Sequence, residues 1–247
     1  MSNLIKKCKR LRLAYETGEL GQTIMPEDAH PANFRNQELC LAYFTLPMAL
    51  NYQRDSYKLW HAALKTFNDS ETKIVFDCRK TSNLDFETLR SFLTRYKLAL
   101  QPNKHPQTWQ TISKTIAENW RDIEKMINSS DNDYLSLRKI IQQDFKKGFP
   151  YLSGPKIFNY WSFILGEFSG IKLKNRQFIE IAPDTHIKKC SIILEVITER
   201  ESKILSREQI SEKWRKALNG SGIAPIDMHA PLWFWSRNGF IFNFQDE

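Results

Sequence analysis

The stretch Lys147-Gly148-Phe149-Pro150-Tyr151-Leu152-Ser153-Gly154-Pro155-Lys156 is followed, 28 positions after Lys156, by Asp184 in the turn Pro183-Asp184-Thr185-His186. Between the two lies a strongly apolar run, Lys156 to Phe168, with Ile157, Phe158, Tyr160, Trp161, Phe163, Ile164 and Leu165, which reads as a helix. Pro155 suits the first helical position, where its missing N–H is not needed. A tight turn containing glycine between two helices can aim several backbone N–H groups at one place. With the positive end of the second helix, those groups form an anion site suited to a phosphate. Lys146, Lys147 and Lys156 surround this turn. The stretch reads equally as a plain helix–helix connection with exposed lysines. Asp184 is placed to cap a helix running through Ile197, its carboxylate accepting first-turn N–H groups.

Helical periodicity extends outward in both directions. Residues 1–16 carry Lys6, Lys7, Lys9, Arg10 and Arg12 among Leu4, Ile5, Leu11 and Leu13, a basic amphipathic helix whose charged face either meets DNA or is simply solvated. Residues 17–36 read as an irregular connector. From Gln37 to Phe67, Leu39, Ala42, Tyr43 and Leu46 form one stripe, continued by Leu50, Tyr57, Trp60 and Leu64 after a break at Pro47. Gln53 falls in a polar cluster on the helix expected beyond that break. Ile74-Val75-Phe76 is short enough to be an extended piece. Leu84 to Leu100 and Gln107 to Trp120 read as helices around a turn at Asn103-Lys104-His105-Pro106, in which His105 is a turn histidine rather than a ligand. A further helix spans about Tyr134 to Asp144. Ser206 and Gln209 match capping-box spacing for a helix to Leu218, closed by Gly220. The fold class expected is all-α, a two-lobed helical bundle.

Bulk properties bound the partners. The chain has 247 residues, 41% hydrophobic and 26% charged, with a net charge of +8 and a pI near 9.2. A basic balance favours an anionic partner, nucleic acid first. The 7 tryptophans and 16 phenylalanines offer stacking surfaces as well as core. Cys8, Cys40, Cys78 and Cys190 lie too far apart for a zinc ribbon or iron–sulfur loop and read as buried thiols of a reducing compartment. The basic N-terminus is not followed by the apolar segment of a signal peptide, and no apolar run approaches the roughly 20 residues that span a bilayer. A cytoplasmic, nucleoid-associated, monomeric protein with no membrane contact is expected.

Two groups at helix starts carry the chemistry. The positive end of a helix favours the neutral, nucleophilic form of a nearby amine, which can attack an electrophilic carbon and form a Schiff base. A carboxylate stabilises the cation that develops on a sugar as a base departs. Lys156 and Asp184 are these groups. Leu152-Ser153-Gly154-Pro155-Lys156, followed by Ala182-Pro183-Asp184-Thr185-His186, resembles the helix–hairpin–helix DNA glycosylases, closest to the archaeal-type 8-oxoguanine glycosylase/AP lyase branch. Ser153 and Pro155 depart from the usual aliphatic and small polar residues of that hairpin. The resemblance is carried by Phe149 to Ile197 and implies one glycosylase fold over residues 1–247 in two helical lobes, with hairpin and catalytic segment at about 146–197.

What the resemblance implies is a bifunctional DNA N-glycosylase and AP lyase of base-excision repair acting on an oxidised purine, 8-oxoguanine before others, in double-stranded DNA. Lys156 is then the Schiff-base nucleophile and Asp184 the essential carboxylate. Leu152, Gly154, Lys147 and His186 would meet the DNA backbone. Enzymes of this kind hold an extruded base against aromatic surfaces and read its edge with a few polar groups. Gln53, Trp60, Asp227 and Trp233 are the base-binding candidates. Trp233 and Trp235 also read as core, and Asp227 as another N-cap. No cofactor is expected, and His186 with His229 would need two more ligands to hold a metal. The alternatives are an N-glycosidase acting on a modified nucleoside or RNA, and a non-catalytic DNA-binding protein.

Overall fold

The computed structural model describes residues 2–244 and is all-helical. Among the described residues, 13 α-helices are joined by short 3-10 turns. The described residues form no strand, and their one isolated bridge is parallel, between Asp133 and Lys174. In chain order the helices are α1 (Asn3–Glu16), α2 (Gln37–Thr45), α3 (Ser56–Asn68), α4 (Cys78–Ser82), α5 (Phe86–Arg95), α6 (Lys104–Asn119), α7 (Ile123–Ser129), α8 (Tyr134–Lys139), α9 (Pro155–Phe168), α10 (Thr185–Ile193), α11 (Glu199–Ile204), α12 (Arg207–Leu218) and α13 (His229–Arg237). None of them is long and apolar enough to cross a membrane.

Side-chain caps set most of the starts. Ser2, Asn36, Asp55, Asp77, Asp85, Asp122, Asp133, Asp184, Thr198 and Ser206 each accept a first-turn N–H. The Ser206/Gln209 capping box forms as its spacing predicts.

Several local expectations differ from the structure. Ile74-Val75-Phe76 is not extended but lies in a 3-10 turn, Thr72–Phe76. The Val75 carbonyl of that turn accepts the Trp109 indole N–H and the Thr81 hydroxyl. The helix predicted from Gln107 starts at Lys104, because Pro106 falls in the first turn, where no N–H is required. His105 accepts the Leu100 N–H on Nδ1 and so pins that start. The helix opened by Asp184 stops at Ile193, where Glu195 turns the chain with φ +60°. The tail from Ala224 is a 3-10 turn, Pro225–Met228, leading into α13.

The chain divides into two compact units. One is continuous, Met25–Lys174; the other joins the residues up to Ile24 with those from Asn175 onward. The segment 146–197 expected to act as one piece is therefore shared between them.

The continuous unit is built around aromatic residues. Tyr43 lies within 5.2–5.6 Å, ring centre to ring centre, of Phe34, Phe44, Trp60, Phe67 and Phe76. In the second unit α13 packs on α1 and α10, burying Cys8, Leu11, Ile187, Cys190, Leu232 and Phe234.

Most of the tryptophan is spent on these cores. Trp60, Trp109, Trp161, Trp214 and Trp235 are buried, and each indole N–H has a partner: Glu27, Val75, Thr45, Ser191 and Phe242 respectively. All four cysteines are buried and free. Burial pushes the thiols up, to about 12 at Cys8 and Cys190 and about 11 at Cys40.

Candidate nucleic-acid interface

In the Met25–Lys174 unit, α8 continues as one turn of π-helix, Ile140–Asp144, and then a 3-10 turn, Lys146–Gly148, before the hairpin closes onto α9. Such widened turns occur often at functional sites. Phe149 and Leu152 are fully buried and anchor the hairpin, while Lys146, Lys147 and Lys156 are exposed. Gly148 is required by space: a Cβ there would stand 2.5 Å from Thr115 Oγ1 and 2.6 Å from its Cγ2.

The hairpin closes by its own amides. Gly148, Phe149, Leu152, Ser153 and Gly154 donate to the carbonyls of Phe145, Lys146, Pro150, Phe149 and Tyr151. The expectation that Leu152 and Gly154 meet a DNA backbone through free N–H groups is corrected on this point. Closing the turn with Tyr151 at φ +61° consumes them, and the Leu152 side chain is core. The anion-binding capacity of the stretch rests instead on the first turn of α9 and on the lysines. Gly154 gives α9 no side-chain cap and Pro155 occupies its first position, leaving a 14-residue helix whose positive end is open beside Lys156.

The other expected residues of this unit separate. Gln53 is not on a helix. It is exposed in the loop between the Pro47–Leu50 turn and α3, with φ +49°. Trp60 is fully buried, its N–H donated to Glu27 Oε1 at 2.8 Å, with the Tyr43 and Phe44 rings tilted against it at 5.6 and 5.7 Å. It has no surface for a base to stack on, which corrects its place among the base-binding candidates. Indole content is equally good core and site material, and helical spacing cannot separate the two.

In the second unit, His186 on α10 meets Trp233 on α13, and Asp184 caps α10 two residues before His186. Asp184 Oδ1 accepts the Ile187 N–H at 2.9 Å and leaves its half-exposed carboxylate otherwise available. His186 Nδ1 pairs with the Ser236 hydroxyl at 3.0 Å, and its ring meets the Trp233 ring edge-on at 5.5 Å. Trp233 is half-buried, with the Arg237 guanidinium 4.7 Å from its ring centre. It is one of two tryptophans, with Trp120, that reach the surface. Asp227 is committed elsewhere. Its Oδ1 accepts Arg176 Nε at 3.1 Å and Nη2 at 2.7 Å, and its Oδ2 accepts the Ala224 N–H. A carboxylate held by a fork of two donors and a cap is a structural tie, so base reading by Asp227 would require that pair to open. Its partner was visible in the sequence only as one of three cations in the connector Lys172, Lys174, Arg176.

Lys156 and Asp184 belong to different units. Among the described residues no group of three or more His, Cys, Asp or Glu side chains converges as a metal site requires. Sequence reading passed over Tyr151, Tyr52 and Lys104, which meet on the surface of the Met25–Lys174 unit. The available signal was an aromatic residue inside a polar, lysine-flanked turn. No protein-family model matches the chain, and no curated protein matches it.

Proposed function

We propose that the chain is a DNA N-glycosylase with strand-cleaving lyase activity, acting on an oxidised purine of the 8-oxoguanine type. The observation that carries this reading is Lys156, an exposed amine on the uncapped first turn of α9, beside a hairpin bearing Lys146 and Lys147. Phosphates on that turn would bring the sugar of a nucleotide to the amine.

In the proposed reaction the lone pair of Lys156 Nζ attacks C1′ of an extruded nucleotide. The bond from C1′ to the base breaks, and the base leaves with the electron pair and takes up a proton. Loss of the amine proton and opening of the sugar ring give an imine between Nζ and C1′. Removal of a C2′ proton then expels the 3′ phosphate, and water releases the lysine. On the resemblance to the glycosylases, Asp184 would be the carboxylate that takes up the amine proton and stabilises the cationic sugar. Trp233 offers a partly exposed indole in its own unit, and Gln53 an exposed amide in the Met25–Lys174 unit.

Borohydride decides the matter. Reduction of a mixture of the protein with 8-oxoguanine duplex should give a covalent protein–DNA adduct, which Lys156→Gln should abolish. Cleavage of damaged duplex without any adduct would sink the imine. Binding of duplex with no turnover on any lesion would leave a non-catalytic DNA-binding protein.

A further inference from the structure

Three segments far apart in sequence bring aromatic and cationic groups to one place on the Met25–Lys174 unit. Tyr52 lies in the loop before α3 and is 54% exposed. Its ring is 5.6 Å from that of Tyr151 at the hairpin, with the planes 33° apart. Lys104, at the start of α6, places Nζ 5.2 Å from the centre of the Tyr151 ring. Lys147 and Lys156 lie on the same hairpin as Tyr151, and both are exposed.

Each segment is held so that the rings stay at the surface. In the Tyr52 loop, Arg54 donates to the carbonyls of Leu98 and Lys97 at 2.7 and 3.3 Å. Ser56 donates to Asn51 at 2.8 Å, and Asp55 caps α3. Buried Phe149 and Leu152 flank Tyr151. His105 pins the start of α6 beside Lys104. Two non-glycine residues adopt left-handed backbone next to or within the pair, Tyr151 at φ +61° and Gln53 at φ +49°. That conformation is unfavourable for a bulky side chain, and an aromatic residue held there on the surface is better explained by what its ring meets than by the core.

We infer that the Tyr52–Tyr151 pair, with Lys104, is a stacking platform for an unpaired base of single-stranded DNA whose phosphates run along the hairpin lysines. A flat π-surface accepts any base, and a neighbouring cation adds attraction to the strand. Tyr52 is the more exposed ring of the pair, so the first base stacks on it. A neutral sugar could also lie on tyrosine rings, but the charged groups on this surface, Lys104, Lys147 and Lys156, select a phosphate-bearing polymer. The inference rests only on the nucleic-acid part of the proposed function and needs neither Lys156 chemistry nor a lesion.

The test compares two labelled strands by fluorescence anisotropy on the full-length protein: a short oligothymidylate, and an abasic oligomer of the same length that keeps the phosphates and lacks the bases. Tyr52→Ala should weaken oligothymidylate binding by about tenfold or more and leave the abasic oligomer unchanged, since one stacked base carries that much. Tyr52→Phe, which keeps the ring, should bind like the wild type. Lys104→Ala should weaken both strands. Equal loss on both strands for Tyr52→Ala, or no loss on either, would overturn the platform. These strands are undamaged and no turnover is read. A failed borohydride trap with an intact Tyr52 effect therefore removes the enzyme and keeps the platform, and the converse result does the reverse.

Discussion

At the scale of single residues, Asp184 does two jobs whose demands differ. As a cap it needs one oxygen facing the Ile187 N–H, and asparagine supplies that as well as aspartate does. As a stabiliser of a sugar cation it needs the charge. Asp184→Asn should therefore slow release of the oxidised base by about 100-fold or more, with duplex affinity and melting temperature nearly unchanged. A large fall in either would make Asp184 a structural cap alone. This residue was legible in the sequence because a cap announces itself by position, just before a run that can be helical. Trp60 was not. Nothing in its spacing distinguishes an indole that faces a ligand from one whose N–H is spent on Glu27 across 33 residues of chain.

At the scale of elements, the helices were legible where an apolar period met a start signal, the capping box in α12 and Pro155 at the first position of α9, or where the period alone was strong, as in α5. The hairpin was legible as a turn but not in its hydrogen bonding. Whether its amides face outward depends on the left-handed backbone of Tyr151, a conformation that sequence assigns by default to glycine. The short α4, α7 and α11, of five to seven residues, carry too little pattern to be seen.

The packing of Gly148 on α6 gives this scale its own prediction. Thr115 Oγ1 donates to the Thr111 carbonyl and has a short side chain, so it cannot swing far to admit a methyl group. Gly148→Ala should cost about 1–3 kcal/mol in urea unfolding, and Thr115→Ala in the same chain should recover part of that loss. Additive losses in the double variant would mean that the two residues do not bear on each other.

At the scale of the whole molecule, stability depends on where charge is buried. Glu27 is fully buried, accepting from Trp60 at 2.8 Å and Tyr160 at 3.0 Å. Burial, only partly offset by those bonds, raises its carboxyl from 4.5 to about 7. Glu38, whose carboxylate accepts the Ile123 and Glu124 N–H groups at the start of α7, is also raised by burial, to about 7. A carboxyl raised in the fold binds its proton more tightly there than in the open chain. Its contribution is complete below about 4.5 and is lost as pH rises through about 7.

His105, lowered by burial, works the other way, losing stability as pH falls through its ordinary value of 6.5. The clean measurement is accordingly the difference between Glu27→Gln and wild type. The variant should gain on the wild type between pH 5 and pH 8 by up to roughly 3 kcal/mol, following the displacement of the carboxyl. A difference that does not change with pH would place the ionised carboxylate comfortably in the core.

The division of the chain also orders events in time. The unit that contains α1 is completed only by residues from Asn175 onward, and α1 packs on α13. During synthesis α1 must wait for α13, on the order of tens of seconds at ordinary elongation rates. All of Met25–Lys174 is meanwhile free to fold. Throughout that interval Cys8, Leu11 and Ala14 have no partner face, so the nascent chain carries a basic helix with a bare apolar stripe. Such a helix is a substrate for chaperones, and its exposure ends only when the ribosome has delivered α13.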